Sequence, residues 1–532
     1  METTYRNPAI SGMAPDPSII RVDDTYYLVC SSFHLFPGLP IYASKNLKDW
    51  KHITNAINRP DQLTLRLAST FYMALDTGQH MVASGGLFAA TIRYHKGKFY
   101  VICTNAAMPS EDMGGTDNFI VSTTDIYGGK WSDPVYIPYN GIDPDLFFDD
   151  DGKVWFQACY QMNREVQPSC NIRQFQIDLE TGKPLTELEV IWGGYAKYDT
   201  EGPHIHKVGD WYYLLAAEGG TFEHHMLSIA RSKNVQGPYE TAEQNPIVTA
   251  DGKPEYIQNV GHGDLVQDPN GNWWAVMLAV RDEKTCQPLG RETFLSPVDW
   301  HEGGWPLVRQ PKMEFTGPAV GDGSEWNPDL PPRVADVYIG EPDAWRYKLP
   351  VTTQGPFSLT PSMERMADPR GPTTFIGRRQ TDLAARGATA IDLRASKTTL
   401  AGGAIKAGLA VYKDYYRHAY LSLNFNTREI ILRTIDLSRK VNRVAKKKYQ
   451  VPEGIDAVAL QIISNADKYT FSVRPGAALD GDAEWIEIGT CETKELAARE
   501  MTGPILGTFA NTTTPQGERA EVCFTDLVVT KL

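Results

Sequence analysis

The sequence predicts an all-β chain, a five-bladed β-propeller followed by a β-sandwich. Three observations carry this. Five consecutive segments share one strand–turn–strand pattern, helical periodicity is scarce, and a second run of alternating strands follows a Pro/Gly-rich connector.

The five segments are PDPSIIRVDDTYYLVC from Pro15, AATIRYHKGKFYVIC from Ala89, DPDLFFDDDGKVWFQA from Asp143, EGPHIHKVGDWYYLLA from Glu201 and HGDLVQDPNGNWWAVM from His262. Each has a short apolar strand, a tight turn rich in Asp, Gly or Asn, and a second strand opening on an aromatic pair such as Tyr26–Tyr27 or Trp273–Trp274; Val154–Trp155 breaks the pattern. Asp-Gly and Asn-Gly between such runs signal hairpins. One unit cannot bury both its faces, so five in a row suggest radial packing; two stacked sandwiches are the alternative architecture.

Eleven of the 12 Trp lie at or before Trp345. Around that point runs a connector containing GDGSEWNPDLPPR, a composition that suits ordered chain without regular structure. The expected organisation is a propeller over 1–320, a linker over 321–344 and a sandwich over 345–532. AVALQIISNADKYTFSVRP and AEVCFTDLVVTKL show the period-2 alternation expected of the sandwich.

Composition narrows the function classes. The 532 residues are 42% hydrophobic and 22% charged, as in globular proteins, and the net charge is −13. An acidic surface repels phosphate backbones and anionic lipid, so neither nucleic acid nor a membrane is an expected partner. No apolar run approaches the ~18 residues of a membrane span. The seven Cys are odd in number and lack a CxxC pair, which reads as buried free thiols rather than a disulfide framework or zinc cluster. METTYRNPAISGM has neither a basic nor an apolar leader region, so the expected location is cytoplasmic as the sequence stands, or secreted if a leader has been trimmed.

Aligning the units on their aromatic pairs places Asp16, Ala89, Asp143, Glu201 and His262 at one repeat position. The first strand of a propeller blade lines the axis, so these residues form a ring. Three carboxylates on one ring repel one another, and that raises the pKa of at least one. A protonated acid beside an ionised carboxylate is what glycoside hydrolysis needs. A single Asp-Pro is usually a turn starter; an acid at the same position of three blades is not explained that way. His262 could bond a carboxylate, bind a metal through water or fill space. Arg291 is a candidate donor to sugar hydroxyls or a charge partner for Asp143 or Glu201, with a surface salt bridge as the bland reading. Phe33, Phe36 and Phe88 could reach the funnel mouth or simply pack the core. No metal-ligand motif is visible and no cofactor is expected to be required, although calcium or another hard cation would suit an axis lined with oxygen.

At these residues the chain resembles glycoside hydrolase family 43. GMAPDPSII, SSFHLFPGLPIYASKNLKDW, GIDPDLFFDDDGK, TEGPHIHKVGDWYYL, GHGDLV and LGRETF occur in family order. TFIGRRQ and ILGTFANTTTPQGERAEVCF resemble the concanavalin-like sandwich of the family's β-xylosidase branch. The resemblance implies inverting hydrolysis by single displacement, with Asp16 as general base, Glu201 as general acid and Asp143 tuning the acid. It implies that His262 and Arg291 line the sugar pocket and that Phe33 forms part of its wall. The expected activity is exo-acting release of terminal α-L-arabinofuranose and/or β-D-xylose from arabinoxylan or xylo-oligosaccharides. A strict β-1,4-xylosidase and a non-catalytic carbohydrate-binding propeller are the alternatives. Where family members often carry Trp-Ala-Pro, this chain has Phe88, Ala89 and Ala90, which tilts the expectation toward arabinofuranose.

Overall fold

The computed structural model describes residues 2–68, 70–74, 80–107, 115–162, 165–283, 286–301, 303–321, 325–368, 371–398, 404–481, 483–497 and 499–532. Residues 322–324 of the connector lie outside them.

Five antiparallel sheets form the blades, and their first strands are Ser18–Val22, Gly86–His95, Ile142–Phe148, Glu201–Val208 and Ile257–Gln267. Each first strand pairs with the strand opening on the aromatic pair, for example Tyr27 against Ile20 and Trp274 against Val266. Those rings pack between blades: Tyr27 joins Phe99 and Ile92, and Trp274 joins Tyr5, Tyr26 and Leu28. The amino-terminal strand Glu2–Arg6 pairs with Glu314–Pro318. The Asn7 side chain bonds both the N–H and the C=O of Leu295, tying the start of the chain to the fifth blade.

The sandwich consists of two larger sheets enclosing one apolar core with Leu409, Leu460, Phe471, Leu506 and Phe524 at its centre. The expectation for the connector needs correction. Asp336–Ile339 is a strand, and it pairs with Phe375–Arg379 on one side and with Leu35–Phe36 of the propeller on the other. A propeller segment thus continues a sandwich sheet. Met13, Phe33 and Leu35 share a buried cluster with Val337, Phe375, Tyr412 and Phe509. Once Val337 and Ile339 are buried in that cluster, their backbone N–H and C=O groups need partners, and strand pairing supplies them. A second bridge is the parallel pairing of Arg499–Glu500 with Met81–Val82.

Below the ring position all five blades meet in a buried ion plug. Arg93 of the second blade forms an ion pair with Asp145 of the third (2.8 Å) and donates to Asp264 of the fifth (2.9 Å). His204 and His206 of the fourth blade reach Arg93 and Asp264 at 3.0 Å each, and Ser18 of the first donates to Asp264 at 2.8 Å. Arg93 is thus an ion-pair partner of both deep axial carboxylates. Beneath the plug a cavity of about 420 Å³ opens on the far face, lined by Tyr94, Phe148 and Trp273 and away from the carboxylate ring.

Candidate active site

Three ring residues sit in left-handed backbone, Asp16 (φ 53°), Asp143 (φ 56°) and His262 (φ 38°), and Gly202 beside Glu201 has φ 57°. Strand register skips between Ile142 and Asp145, Glu201 and His204, and Gly261 and Gly263. Such bulges turn a side chain off the sheet face, here toward the axis. Holding a non-glycine residue there costs about 1–3 kcal/mol, which the surrounding blades must offset. Gly202 has a steric reason as well, since a Cβ on it would lie 2.9 Å from His262 Nε2.

The ring closes. One ligating atom each of Asp143, Glu201 and His262 lies within 4.8 Å of the others. His262 Nδ1 is 4.0 Å from Asp16 Oδ1. Asp16 accepts from Ser31 Oγ at 2.5 Å and from Arg291 Nη1 at 3.2 Å. The Gly202 N–H donates to Asp143 at 3.1 Å, which ties Asp143 to the residue after Glu201. Asp16, Asp143, His262 and Arg291 are buried and Glu201 is half-buried.

The acids are driven apart electrostatically. Burial disfavours the Asp16 charge, but Arg291, His262 and Ser31 outweigh it and hold the carboxyl below its usual range. Asp143 lacks such a partner; burial and then the Asp16 charge push it up to about 8. Burial, followed by Asp143 and Asp199, pushes Glu201 well above the usual range. Burial lowers His262 to about 4, so its imidazole is neutral at neutral pH. The site therefore favours the charge on Asp16 and disfavours it on Asp143 and Glu201.

Asp16, Asp143, Glu201, His262, Arg291, Phe33 and Phe88 come together here, whereas Phe36 packs in the core against Tyr338, and one pairing needs correction. Arg291 pairs with Asp16 rather than with Asp143 or Glu201, because the strand Glu292–Asp299 starts beside the Asp16 loop. It is buried, so it is no surface salt bridge. Its guanidinium lies 5.4 Å from the Phe33 ring centre, and Phe33 meets Phe88 edge-on at 5.7 Å. Sequence reasoning missed Ser31, Thr221 and Met501. Thr221 Oγ1 accepts from Arg291 Nη1 at 3.1 Å, and the Met501 carbonyl accepts from Arg291 Nε at 3.3 Å, so the sandwich helps orient the arginine. SSF next to the first blade was the only local hint; the other two contacts span 70 and 210 residues.

Residues 5–306 match the family model for Glycosyl hydrolases family 43. The chain belongs to this family. In this family 43 protein, residues 353–528 match the beta xylosidase C-terminal concanavalin A-like domain. A non-reducing end alpha-L-arabinofuranosidase of Bacteroides ovatus is 41% identical over 309 residues, covering 58% of this chain and 54% of that protein. The chain thus spans little more than half the length of that relative. The xylosidase/arabinosidase 43B of Humicola insolens is 31% identical over 474 residues, covering 85% and 82%. The crystal structure of a xylan beta-1,4-xylosidase from Bacillus halodurans superposes with a TM-score of 0.84 at 27% identity, covering 98% and 99%.

Proposed function

We propose that this family 43 protein is an inverting, exo-acting glycoside hydrolase that releases terminal pentoses, α-L-arabinofuranose and/or β-D-xylose, from arabinoxylan or xylo-oligosaccharides. The observation that carries the reading is the convergence of three buried or half-buried acids on the axis: Asp143 and Glu201 lie within 4.8 Å of each other and of His262, and Asp16 alone is paired with Arg291, at 3.2 Å, an arrangement that favours the charge on Asp16 and the proton on Glu201. In this reading Asp16 takes a proton from water as the water oxygen bonds the anomeric carbon. Glu201 gives its proton to the departing glycosidic oxygen, and the C–O bond breaks with inversion. Asp143 is a positioning residue: it accepts the Gly202 N–H, and as it ionises its charge makes loss of the Glu201 proton harder. Arg291, neutral His262, Phe33 and Phe88 bind and orient the sugar. The cluster of Asp143, Glu201 and His262 has the donors for a cation. We assign the neutralising role to protons, so chelator treatment is expected to leave turnover unchanged.

The test compares p-nitrophenyl α-L-arabinofuranoside with p-nitrophenyl β-D-xyloside and follows the anomer of the released sugar by proton NMR. Release of the inverted anomer from either substrate supports the reading, and retention or no turnover of both contradicts it. The higher kcat/KM is expected on the arabinofuranoside, in keeping with Phe88 at the pocket wall.

A further inference from the structure

The propeller and the sandwich enclose a cavity of about 350 Å³ that shares no residue with the carboxylate ring. Tyr42, Trp50 and His52 of the first blade line one side, and Arg379, Thr381 and Lys531 of the sandwich line the other. Arg379 ends the strand Phe375–Arg379 and is only 8% exposed. Neither its Nε nor its Nη2 has an acceptor among the described residues. Its neighbours are treated differently. Arg378 donates to Asp336 at 2.7 Å and to the carbonyls of Leu527 and Thr353, and Lys531 pairs with Asp382 at 3.1 Å.

Three titratable groups of the first blade that feel the charge of Arg379 do not neutralise it. Burial pushes the Cys30 thiol and the Tyr42 hydroxyl up to about 12 and the His52 imidazole down to about 3, so all three are uncharged at neutral pH. An uncompensated guanidinium in a buried site costs several kcal/mol. Its planar fork of donors matches the paired oxygens of a carboxylate or phosphate.

We propose that this interdomain cavity is an oxyanion-binding site in which Arg379 receives the carboxylate or phosphate group of a small ligand. The volume exceeds the needs of an inorganic ion, and the Trp50 and Tyr42 rings offer an apolar wall, so an organic acid of the size of a sugar acid fits best. Because both domains contribute walls, the ligand bridges them and stabilises the whole chain by binding the folded state alone.

The experiment is thermal unfolding of the full chain in a buffer free of phosphate and carboxylate, at constant ionic strength, titrated separately with D-glucuronate, D-glucose and inorganic phosphate. Glucuronate is expected to raise Tm by a few degrees and glucose to leave it unchanged. Arg379→Met should abolish the glucuronate shift, unfold no earlier than the wild type without anion, and turn over aryl pentosides at the wild-type rate. A phosphate shift of equal size that Arg379→Met also removes assigns the site to the oxyanion group alone, whereas a glucuronate-only shift assigns it to the organic acid; both uphold the proposal. A shift that survives in Arg379→Met overturns it, as does Arg379→Met unfolding earlier than wild type without anion. So does the absence of binding heat when wild type is titrated with either anion in a calorimeter.

Discussion

Asp143 and Asp145 lie two residues apart on one strand, and both are buried, yet they hold protons in opposite ways. Asp143 is pushed up to about 8 by burial and the Asp16 charge. Asp145 is held below the usual range, because Arg93 and His204 overcome the same burial penalty. The contrast extends over two layers of the propeller axis. The lower layer, built on Arg93, Asp145, Asp264 and His206, is a plug in which each acid is ion-paired to Arg93, and it joins the blades. The upper ring of Asp16, Asp143, Glu201 and His262 has acids in excess and bulged, left-handed backbone. Burial alone therefore does not mark a working site. What sets the upper ring apart is several acids converging with too few cations to match them, which leaves protons on groups whose like elsewhere have lost theirs.

The largest expected effects come from removing the split in the upper ring. Glu201→Gln and Asp16→Asn should each lower kcat/KM on aryl pentosides by about 10²–10⁴-fold, the range of general acid–base catalysis, while circular dichroism stays native. Near-native rates in either variant would break the distinction between the layers.

The lower layer should respond in stability instead. Arg93→Met leaves Asp145 and Asp264 buried without their cation, and breaking a buried pair this way costs about 3–5 kcal/mol. Denaturant unfolding should show that loss, with the folded fraction keeping most of its turnover. An unchanged unfolding midpoint would mean that the plug does not hold the blades together.

A subtler effect is the pH dependence of stability. Glu201 has a folded pKa above its unfolded value of about 4.5, so the folded state retains a proton that the unfolded state has released. The stabilisation this group contributes is fully present below pH 4.5 and is lost as pH rises toward its folded pKa, by at most about 1.4 kcal/mol per pH unit. Glu201→Gln should therefore gain stability relative to wild type as pH rises from 4.5 toward the folded pKa of Glu201. Denaturation midpoints across that range would measure the gain, and a difference from wild type that stays constant with pH would contradict the raised pKa.

The upper ring was the more legible of the two layers. Its members recur at one position of a repeat, and a carboxylate there conflicts with an apolar inner strand, so Asp16, Asp143, Glu201 and His262 stand out by eye. Asp145 in DPDLF and Asp264 in HGDLV recur as plainly two residues later, but their partner Arg93 belongs to a blade with neither acid. Ion pairing across blades leaves no mark in a local pattern. The sandwich core followed from period-2 alternation. The strand Asp336–Ile339 did not, because Pro and Gly around it dominate the composition and its partner Leu35–Phe36 lies some 300 residues away. Arg291 could be read as a site residue but not assigned to Asp16, a contact across 275 residues.

The most direct test of the account is the pH profile of kcat/KM for wild type and Asp143→Asn. In wild type the acid limb, set by Asp16, should fall below the usual carboxylate range, and the alkaline limb, set by the coupled Asp143–Glu201 pair, should lie above neutrality. Removing the Asp143 charge makes ionisation of Glu201 easier, so the alkaline limb should move to lower pH while the acid limb keeps its place. An alkaline limb that stays where it was, or moves to higher pH, would contradict the claim that the Asp143 charge makes loss of the Glu201 proton harder.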